Sequence, residues 1–128
     1  MAKRIFRPIE TPIGILNGRD AIYLDSFEYE LHGLLKLTGE LNGKLASKPV
    51  DKFLKYLLTF SSVLAFKVIE LDSWDFKCES SFDEIVDSEW CKTLGGKITP
   101  LHKHYQVQTY DNVNEVVASK FNITIDLD

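Results

Sequence analysis

Short segments in which apolar and polar residues alternate constrain the fold of this chain more than any other feature. The clearest one has mostly apolar residues two positions apart: Phe27, Tyr29, Leu31, Gly33, Leu35 and Leu37. A period of two predicts a half-buried β-strand, in which Gly33 marks a bulge or bend. Residues 121–127 repeat the alternation. Asn17-Gly18 and Asn42-Gly43 favour type I′ turns, in which both central residues need positive φ. We therefore predict an antiparallel β-meander.

Residues 49–60 fit two structures. Their apolar residues recur at helical spacing, and Pro49 suits a first helical turn. The apolar run that ends at Phe60 continues through Ser61-Ser62 into a second apolar run, which is typical of two strands joined by a short turn. We favour the strand.

Two helices are predicted in the second half of the chain. Ser81-Phe-Asp-Glu84 has the form of a capping box, and Gly95-Gly96 is a suitable helix end. The apolar residues between them recur at helical spacing, which predicts a helix over about 82–94. Asp111 can cap a second helix over about 112–119. The expected fold class is α+β, with both helices packed against the antiparallel sheet.

Length and composition predict one globular domain over residues 1–128. A chain of 128 residues, 45% of them apolar, can bury roughly two-thirds of its surface. No apolar run reaches the length of a signal peptide or a membrane helix, so we expect a cytoplasmic protein that does not bind membrane. Cys78 and Cys91 match no redox or zinc motif and are expected to be reduced. Gly95-Gly96-Lys97 lacks the rest of a phosphate loop, and we expect no cofactor.

Negative charge is concentrated in one segment of the chain. The net charge is −4, but eight acidic residues and one lysine lie between residues 70 and 91: Glu70, Asp72, Asp75, Lys77, Glu79, Asp83, Glu84, Asp87 and Glu89. No basic cluster is present, which argues against nucleic acid or an anionic membrane as the partner. The same segment holds both tryptophans, Trp74 and Trp90, and aromatic residues are enriched at binding hot spots.

This combination predicts an exposed surface that binds a basic protein. We expect the outward side of the first helix to carry Asp83, Asp87 and Glu89, because its apolar residues face the other way. The predicted partner-binding residues are Asp72, Trp74, Asp75, Asp83, Asp87 and Glu89. A surface of this kind can instead be solvated without a partner, and an exposed strand edge or helix face can pair with a second copy of the chain.

The sequence His102-Lys103-His104 supports a different class of function. On a strand, residues two apart point the same way, so the two imidazoles can hold a metal or divide acid and base roles. The alternative hypothesis is therefore a small metal- or histidine-dependent hydrolase that uses His102 and His104. Two ligands do not complete a metal site, and His32 is seventy residues earlier in the chain.

Three short segments resemble small bacterial immunity proteins of polymorphic-toxin and contact-dependent growth inhibition systems. They are Ser80-Ser-Phe-Asp-Glu84, Asp87-Ser-Glu-Trp90 and His102-Lys-His-Tyr-Gln-Val-Gln-Thr-Tyr-Asp111, in the second half of the chain. The resemblance implies a cytosolic acidic protein that protects its own cell by binding a toxin domain, often a basic nuclease. These proteins share no catalytic motif, so the resemblance assigns no role to any residue.

Overall fold

The computed structural model describes residues 4–71 and 79–127, and within these ranges the chain forms two antiparallel sheets. The strands are β1 (Ile5–Pro8), β2 (Ile22–Glu30), β3 (Leu34–Asn42), β4 (Phe53–Ser61), β5 (Ala65–Glu70), β6 (Phe82–Val86), β7 (Lys103–Gln108), β8 (Asn112–Ala118) and β9 (Lys120–Ile125). A 3₁₀-helix spans Gly43–Leu45, and the helix α1 spans Glu89–Thr93. The antiparallel β prediction is therefore confirmed.

The strands are divided between a five-stranded sheet in the order β1-β6-β7-β8-β5 and a four-stranded sheet in the order β2-β3-β4-β9. β2, β3 and β4 pair consecutively as a meander, but the single strand predicted over residues 27–37 is divided into β2 and β3 by a turn. The preference for a strand over residues 49–60 is confirmed by β4, and the predicted last strand is β9. Burial alternates along β4 between exposed and buried residues, as expected for a strand with one face toward the core.

The core lies between the two sheets. Leu37 and Phe60 of the four-stranded sheet and Val107 of the five-stranded sheet are completely buried. The ring of Phe60 contacts that of Tyr105 across the sheets, with centroids 5.3 Å apart. Burying one large apolar side chain stabilises a fold by roughly 1.5–3 kcal/mol, so these facing positions hold the sheets together as a sandwich.

The predicted turns were only partly correct. Gly33 has φ +81° and lies in the turn between β2 and β3, where its N–H donates to the carbonyl of Glu30 over 3.0 Å. It therefore joins two strands instead of bending one. Asn42-Gly43 begins the 3₁₀-helix, and Asn17-Gly18 does not join two strands of a hairpin. The expected hairpin turn at Asn17 is replaced by a tertiary contact, in which the Asn17 N–H donates to the carbonyl of Leu45.

The prediction of a helix over 82–94 was wrong for its first half. Residues 82–86 form β6, which hydrogen-bonds to β1 on one side and β7 on the other. Phe82 and Ile85 are both buried although they lie on opposite faces of this strand. A strand buried on both faces loses its period of two and can mimic helical spacing. The helix begins only after Asp87, which has φ 55°, and its N-cap is Ser88 instead of Ser81.

The predicted second helix over 112–119 was also wrong. Residues 112–118 form β8, between β7 and β5 in the five-stranded sheet. Residues 113–118 are all buried, so this strand too shows no alternation. Asp111 precedes the strand in a turn and caps no helix. In the part of the chain that the structure describes, helical structure is therefore confined to α1 and the 3₁₀-helix.

The connection from β4 to β5 passes from one sheet to the other. The two strands belong to different sheets, so the hairpin predicted at Ser61-Ser62 does not form. Ser62 has φ 55°, in the left-handed region, where the chain changes direction. Across the described ranges, no helix has the length and apolar character that crossing a bilayer requires.

Candidate functional site

A cluster of polar side chains is buried on the outer face of the five-stranded sheet, which points away from the four-stranded sheet. Alternation along β7 places Tyr105 and Val107 in the core and His104 and Gln106 on this outer face. Glu115 of β8 pairs with Gln106 across the strands and is 0% exposed. We call the following residues the polar cluster: Arg4, Ser88, His104, Gln106 and Glu115.

Hydrogen bonds connect the members of the polar cluster in a chain. The imidazole of His104 lies between two oxygens, with Nδ1 2.7 Å from Ser88 Oγ and Nε2 2.7 Å from Glu115 Oε1. Arg4 Nη1 donates to Glu115 Oε1 and to Gln106 Oε1, each over 2.8 Å. The carboxylate accepts from Nε2–H, and the Ser88 hydroxyl therefore donates to Nδ1.

The charge state of the polar cluster follows from its burial. Burial lowers the pKa of His104, and this outweighs the opposing hydrogen bond and charge of Glu115. Burial alone would raise the pKa of Glu115, but the hydrogen bond from His104 and the positive charge of Arg4 outweigh it, so the pKa is lowered. The cluster therefore holds an ionised Glu115–Arg4 pair beside an uncharged imidazole near neutral pH.

Two buried atoms of the cluster lack hydrogen bonds. Within the described residues, no partner reaches Gln106 Nε2 or Glu115 Oε2. An unsatisfied buried polar atom costs about 1–3 kcal/mol, and a bound water often fills such a position.

The polar cluster fixes α1 on the outer face of the sheet. The hydroxyl of Ser88 accepts the N–H of Cys91 at the helix start, in addition to its bond with His104. The ring of Trp90 packs edge-on against His104 with centroids 5.2 Å apart, and Lys67 Nζ lies 4.5 Å from the centre of the Trp90 ring. A helix of one turn is marginal alone, so these contacts supply its stability.

Two of the predicted binding residues are exposed on α1 and just before it. The side chains of Asp87 and Glu89 are 70% and 72% exposed, and both pair with Lys92, at 2.9 Å and 3.4 Å. Lys92 carries a raised pKa, chiefly because it donates a hydrogen bond to Asp87. We call Asp87, Glu89, Trp90 and Lys92 the acidic corner. Its net charge is negative, because two carboxylates share one lysine.

The remaining predicted binding residues do not extend this corner within the described residues. Asp83 is completely buried and accepts the N–H groups of Glu79 and Ser80, so the prediction that it is exposed was wrong. Burial raises its pKa although these hydrogen bonds oppose the shift. The reason for the error is that residue 83 belongs to a strand instead of a helix. Asp72, Trp74 and Asp75 lie outside the described residues, as does Cys78.

The two histidines proposed for catalysis are not brought together. His104 is in the polar cluster, whereas His102 lies before β7 in a loop, where its Nδ1 accepts the N–H of Thr99 over 3.1 Å. Among the described residues, no group of three or more histidine, cysteine or carboxylate side chains is arranged to hold a metal ion.

No pattern in the sequence predicted a role for Arg4, Ser88 or Glu115. Arg4 and Glu115 are 111 residues apart, so no local pattern predicts their contact. Glu115 did carry a signal, because it lies among apolar residues, between Val113 and Val116-Val117-Ala118, and a buried carboxylate needs a partner.

A groove lies at one end of the sandwich, and we call it the end groove. It is formed by the turn between β2 and β3, the connection between β4 and β5, and the loop between α1 and β7, and its volume is about 540 Å³. Its lining residues are Tyr29, Leu31, His32, Gly33, Ser62, Val63, Leu64, Lys97 and His102. The third histidine, which the sequence left unplaced, therefore lines the same groove as His102.

The arrangement offers three kinds of chemistry. The Ser88–His104–Glu115 chain has the order of a nucleophile, a base and an orienting carboxylate. The acidic corner offers a charged contact surface, and the end groove offers hydrogen-bond donors beside apolar side chains.

Comparisons with protein-family models, with curated proteins and with solved structures each find no match.

Proposed function

We propose that the protein is a non-catalytic binding domain whose acidic corner docks on a basic protein. The partner that fits this proposal best is a toxin domain, which this chain would occlude as its immunity protein. The sequence resemblance supports the same partner. The carboxylates would take the place of substrate phosphates in a basic cleft, and the indole of Trp90 would add contact area.

The observation that carries the proposal is the rigid attachment of exposed carboxylates to a sheet. Asp87 and Glu89 are largely exposed, while Ser88 between them is buried and bonded to His104. Asp87 also has φ 55°, a conformation that costs a non-glycine residue energy and is enriched at functional sites. A loop selected only for solubility has no need of such an anchor.

Electrostatic attraction would act mainly on the association rate. Complementary charges steer two proteins together and raise association rates toward about 10⁸ M⁻¹s⁻¹ at low salt. The contribution of Asp87 and Glu89 should fall as salt rises, because exposed charges are screened over about 8 Å at physiological ionic strength.

The proteins encoded on either side of this gene are the natural candidates for the partner. Each would be purified and its binding to the full chain measured by biolayer interferometry at 50 mM and 300 mM salt. We expect one basic product to bind, with an association rate that falls about tenfold or more with salt. The double variant Asp87→Asn and Glu89→Gln should slow association several-fold without changing the fold, because asparagine tolerates positive φ as aspartate does.

Asp51→Asn combined with Glu40→Gln is the matched control. It removes two exposed carboxylates far from α1 along the chain, at residue 51 between β3 and β4 and residue 40 within β3. If no neighbouring product binds, the toxin–immunity proposal is wrong. If a product binds but both double variants behave alike, the acidic corner is not the contact surface.

A second candidate function is a histidine-dependent hydrolase, and the Ser88–His104–Glu115 chain favours it. The hydrolase predicted from the sequence used His102 and His104, whereas here the partner of His104 is Ser88. The arrangement resembles a catalytic triad in the order of its groups, although the serine bonds to Nδ1 and is itself mostly buried. A fluorophosphonate probe tests it directly, because a nucleophilic serine is labelled covalently. Labelling abolished by Ser88→Ala would support the hydrolase, whereas an unlabelled protein would contradict it.

A further inference from the structure

The end groove presents several hydrogen-bond donors and no acidic side chain among its described lining residues. His102 Nδ1 lies 3.1 Å from the Thr99 N–H and 3.0 Å from the Thr99 hydroxyl. The N–H occupies Nδ1 as an acceptor, so the proton of the uncharged ring is on Nε2. That atom is buried and has no hydrogen-bond partner in the described ranges. Lys97 and His32 add further donors to the same lining.

Apolar side chains stand beside these donors. Leu31 lines the groove and is 93% exposed, and Leu101, which precedes His102, is 71% exposed. Tyr29 of the lining is also exposed. A leucine this exposed at a tight turn contributes nothing to the core, whereas neighbouring exposed apolar residues are typical of contact surfaces.

A backbone hydrogen bond joins two of the segments that form the groove. Val63 N–H donates to the carbonyl of Gly33 over 2.8 Å, which ties the β2–β3 turn to the connection between the sheets. Gly33 has φ +81° and Ser62 has φ 55°, so two left-handed residues meet at this place. The cavity of about 540 Å³ is large enough for a few side chains.

We propose that the end groove binds an acidic segment of a partner protein, in which a glutamate or aspartate lies next to a large apolar residue. The carboxylate would be received by Lys97 and His32, which line the groove. The apolar residue would pack against Leu31. Charge complementarity selects this partner over a basic one, because a cationic segment would find no carboxylate among the described lining residues.

This inference is independent of the acidic corner. The corner consists of Asp87, Glu89, Trp90 and Lys92 and would attract positive charge, whereas the groove would attract negative charge. Either surface can fail its test while the other passes.

The test uses the full chain and a fluorescein-labelled eight-residue peptide of alternating leucine and glutamate. Fluorescence anisotropy gives the dissociation constant, and amide shifts of the ¹⁵N-labelled protein locate the binding site. We expect the shifts to centre on Gly33, Ser62 and His102. A peptide with glutamine in place of glutamate should bind about tenfold more weakly or worse, and one with lysine weaker still.

The double variant Leu31→Ser and Lys97→Gln should raise the dissociation constant at least about tenfold. Both side chains are exposed, so the melting temperature should not change. Leu127→Ser combined with Lys48→Gln is the matched control, because it removes an exposed leucine and an exposed lysine elsewhere.

Several outcomes would overturn the proposal. They are equal binding of the glutamate and lysine peptides, shifts that map away from the groove, and binding that the double variant leaves intact. If phosphate or acetate alone gives the same shifts at the same concentration, the groove takes a small anion instead. If light scattering shows a dimer that Leu31→Ser dissociates, the occupant is a second copy of the chain.

Discussion

Glu115 is a carboxylate in the middle of a buried strand, and its charge is stable there only because of its neighbours. Arg4 and His104 both donate to its Oε1, at 2.8 Å and 2.7 Å. Removing one partner of a buried ion pair leaves an uncompensated charge, which is far more costly than losing an exposed pair. At the scale of single residues, the polar cluster is therefore where the fold is most sensitive.

Substituting Glu115 with glutamine should destabilise the protein strongly. The change keeps the shape of the side chain but removes the buried carboxylate to which Arg4 and His104 donate, so we expect a loss of about 3–5 kcal/mol in the free energy of unfolding. Urea denaturation measures it. Glu40→Gln, at an exposed position of β3, should change stability by less than about 0.5 kcal/mol. A loss below 1 kcal/mol for Glu115→Gln would contradict a stabilising role of the Glu115–Arg4 ion pair.

Acid should destabilise the fold through His104. Its pKa is lowered by burial in the folded state, so the unfolded chain binds the proton more readily. The stability that the uncharged ring provides is complete above the unfolded pKa of about 6.5 and is lost as the pH falls toward the folded pKa. The free energy of unfolding should therefore decrease from pH 7 to pH 5. His104→Gln should have a flatter profile, and an equally steep one would exclude His104 as the cause.

At the scale of elements, two strands that are buried on both faces, β6 and β8, were mistaken for helices. The apolar residues of β4 recur at helical spacing, but burial alternates along the segment and the structure confirms the strand. Residues 82–86 and 112–118 do not alternate, and both were predicted as helices. These residues are strands because of their neighbours in the sheet: β6 and β8 each pair on two sides and are covered on both faces.

Gly39 is an element-scale feature that the sequence did not reveal. It lies opposite an irregularity of β2 between Leu24 and Ser26, and a Cβ added there would collide with the backbone carbonyl of Tyr23. Gly39→Ala should therefore cost about 1–3 kcal/mol or more in thermal or urea unfolding, because the β2 backbone must move. Gly95→Ala is the matched control, since no atom lies within 4 Å of its Cβ position. Equal losses of stability for Gly39→Ala and Gly95→Ala would show that the β2 backbone moves without cost.

At the scale of the whole molecule, stability comes from the contact between the sheets. Phe60 of β4 contacts Phe82 of β6 and Tyr105 of β7, so one side chain joins three strands. One domain over residues 1–128 stays a prediction. One hydrophobic cluster does connect both sheets, with buried residues from β2, β3, β4, β6, β7 and β8.

Phe60→Ala and Phe53→Ala compare an inward and an outward position of the same strand. Phe60 is completely buried, whereas Phe53 is 53% exposed. Phe60→Ala should cost about 3–5 kcal/mol through lost burial and the remaining cavity. Phe53→Ala should cost less than about 1 kcal/mol. Calorimetry should show a much lower melting temperature for the first variant alone, and similar values for the two would contradict a core between the sheets.

The sequence by itself determined the antiparallel β character and the uneven charge, because these follow from local alternation and composition. Tertiary structure alone decided that residues 82–86 and 112–118 are strands, that Asp83 is buried, and that Arg4, Ser88, His104 and Glu115 meet. Each of these depends on which strands become neighbours, and contacts between residues as far apart as Arg4 and Glu115 leave no trace in a local pattern.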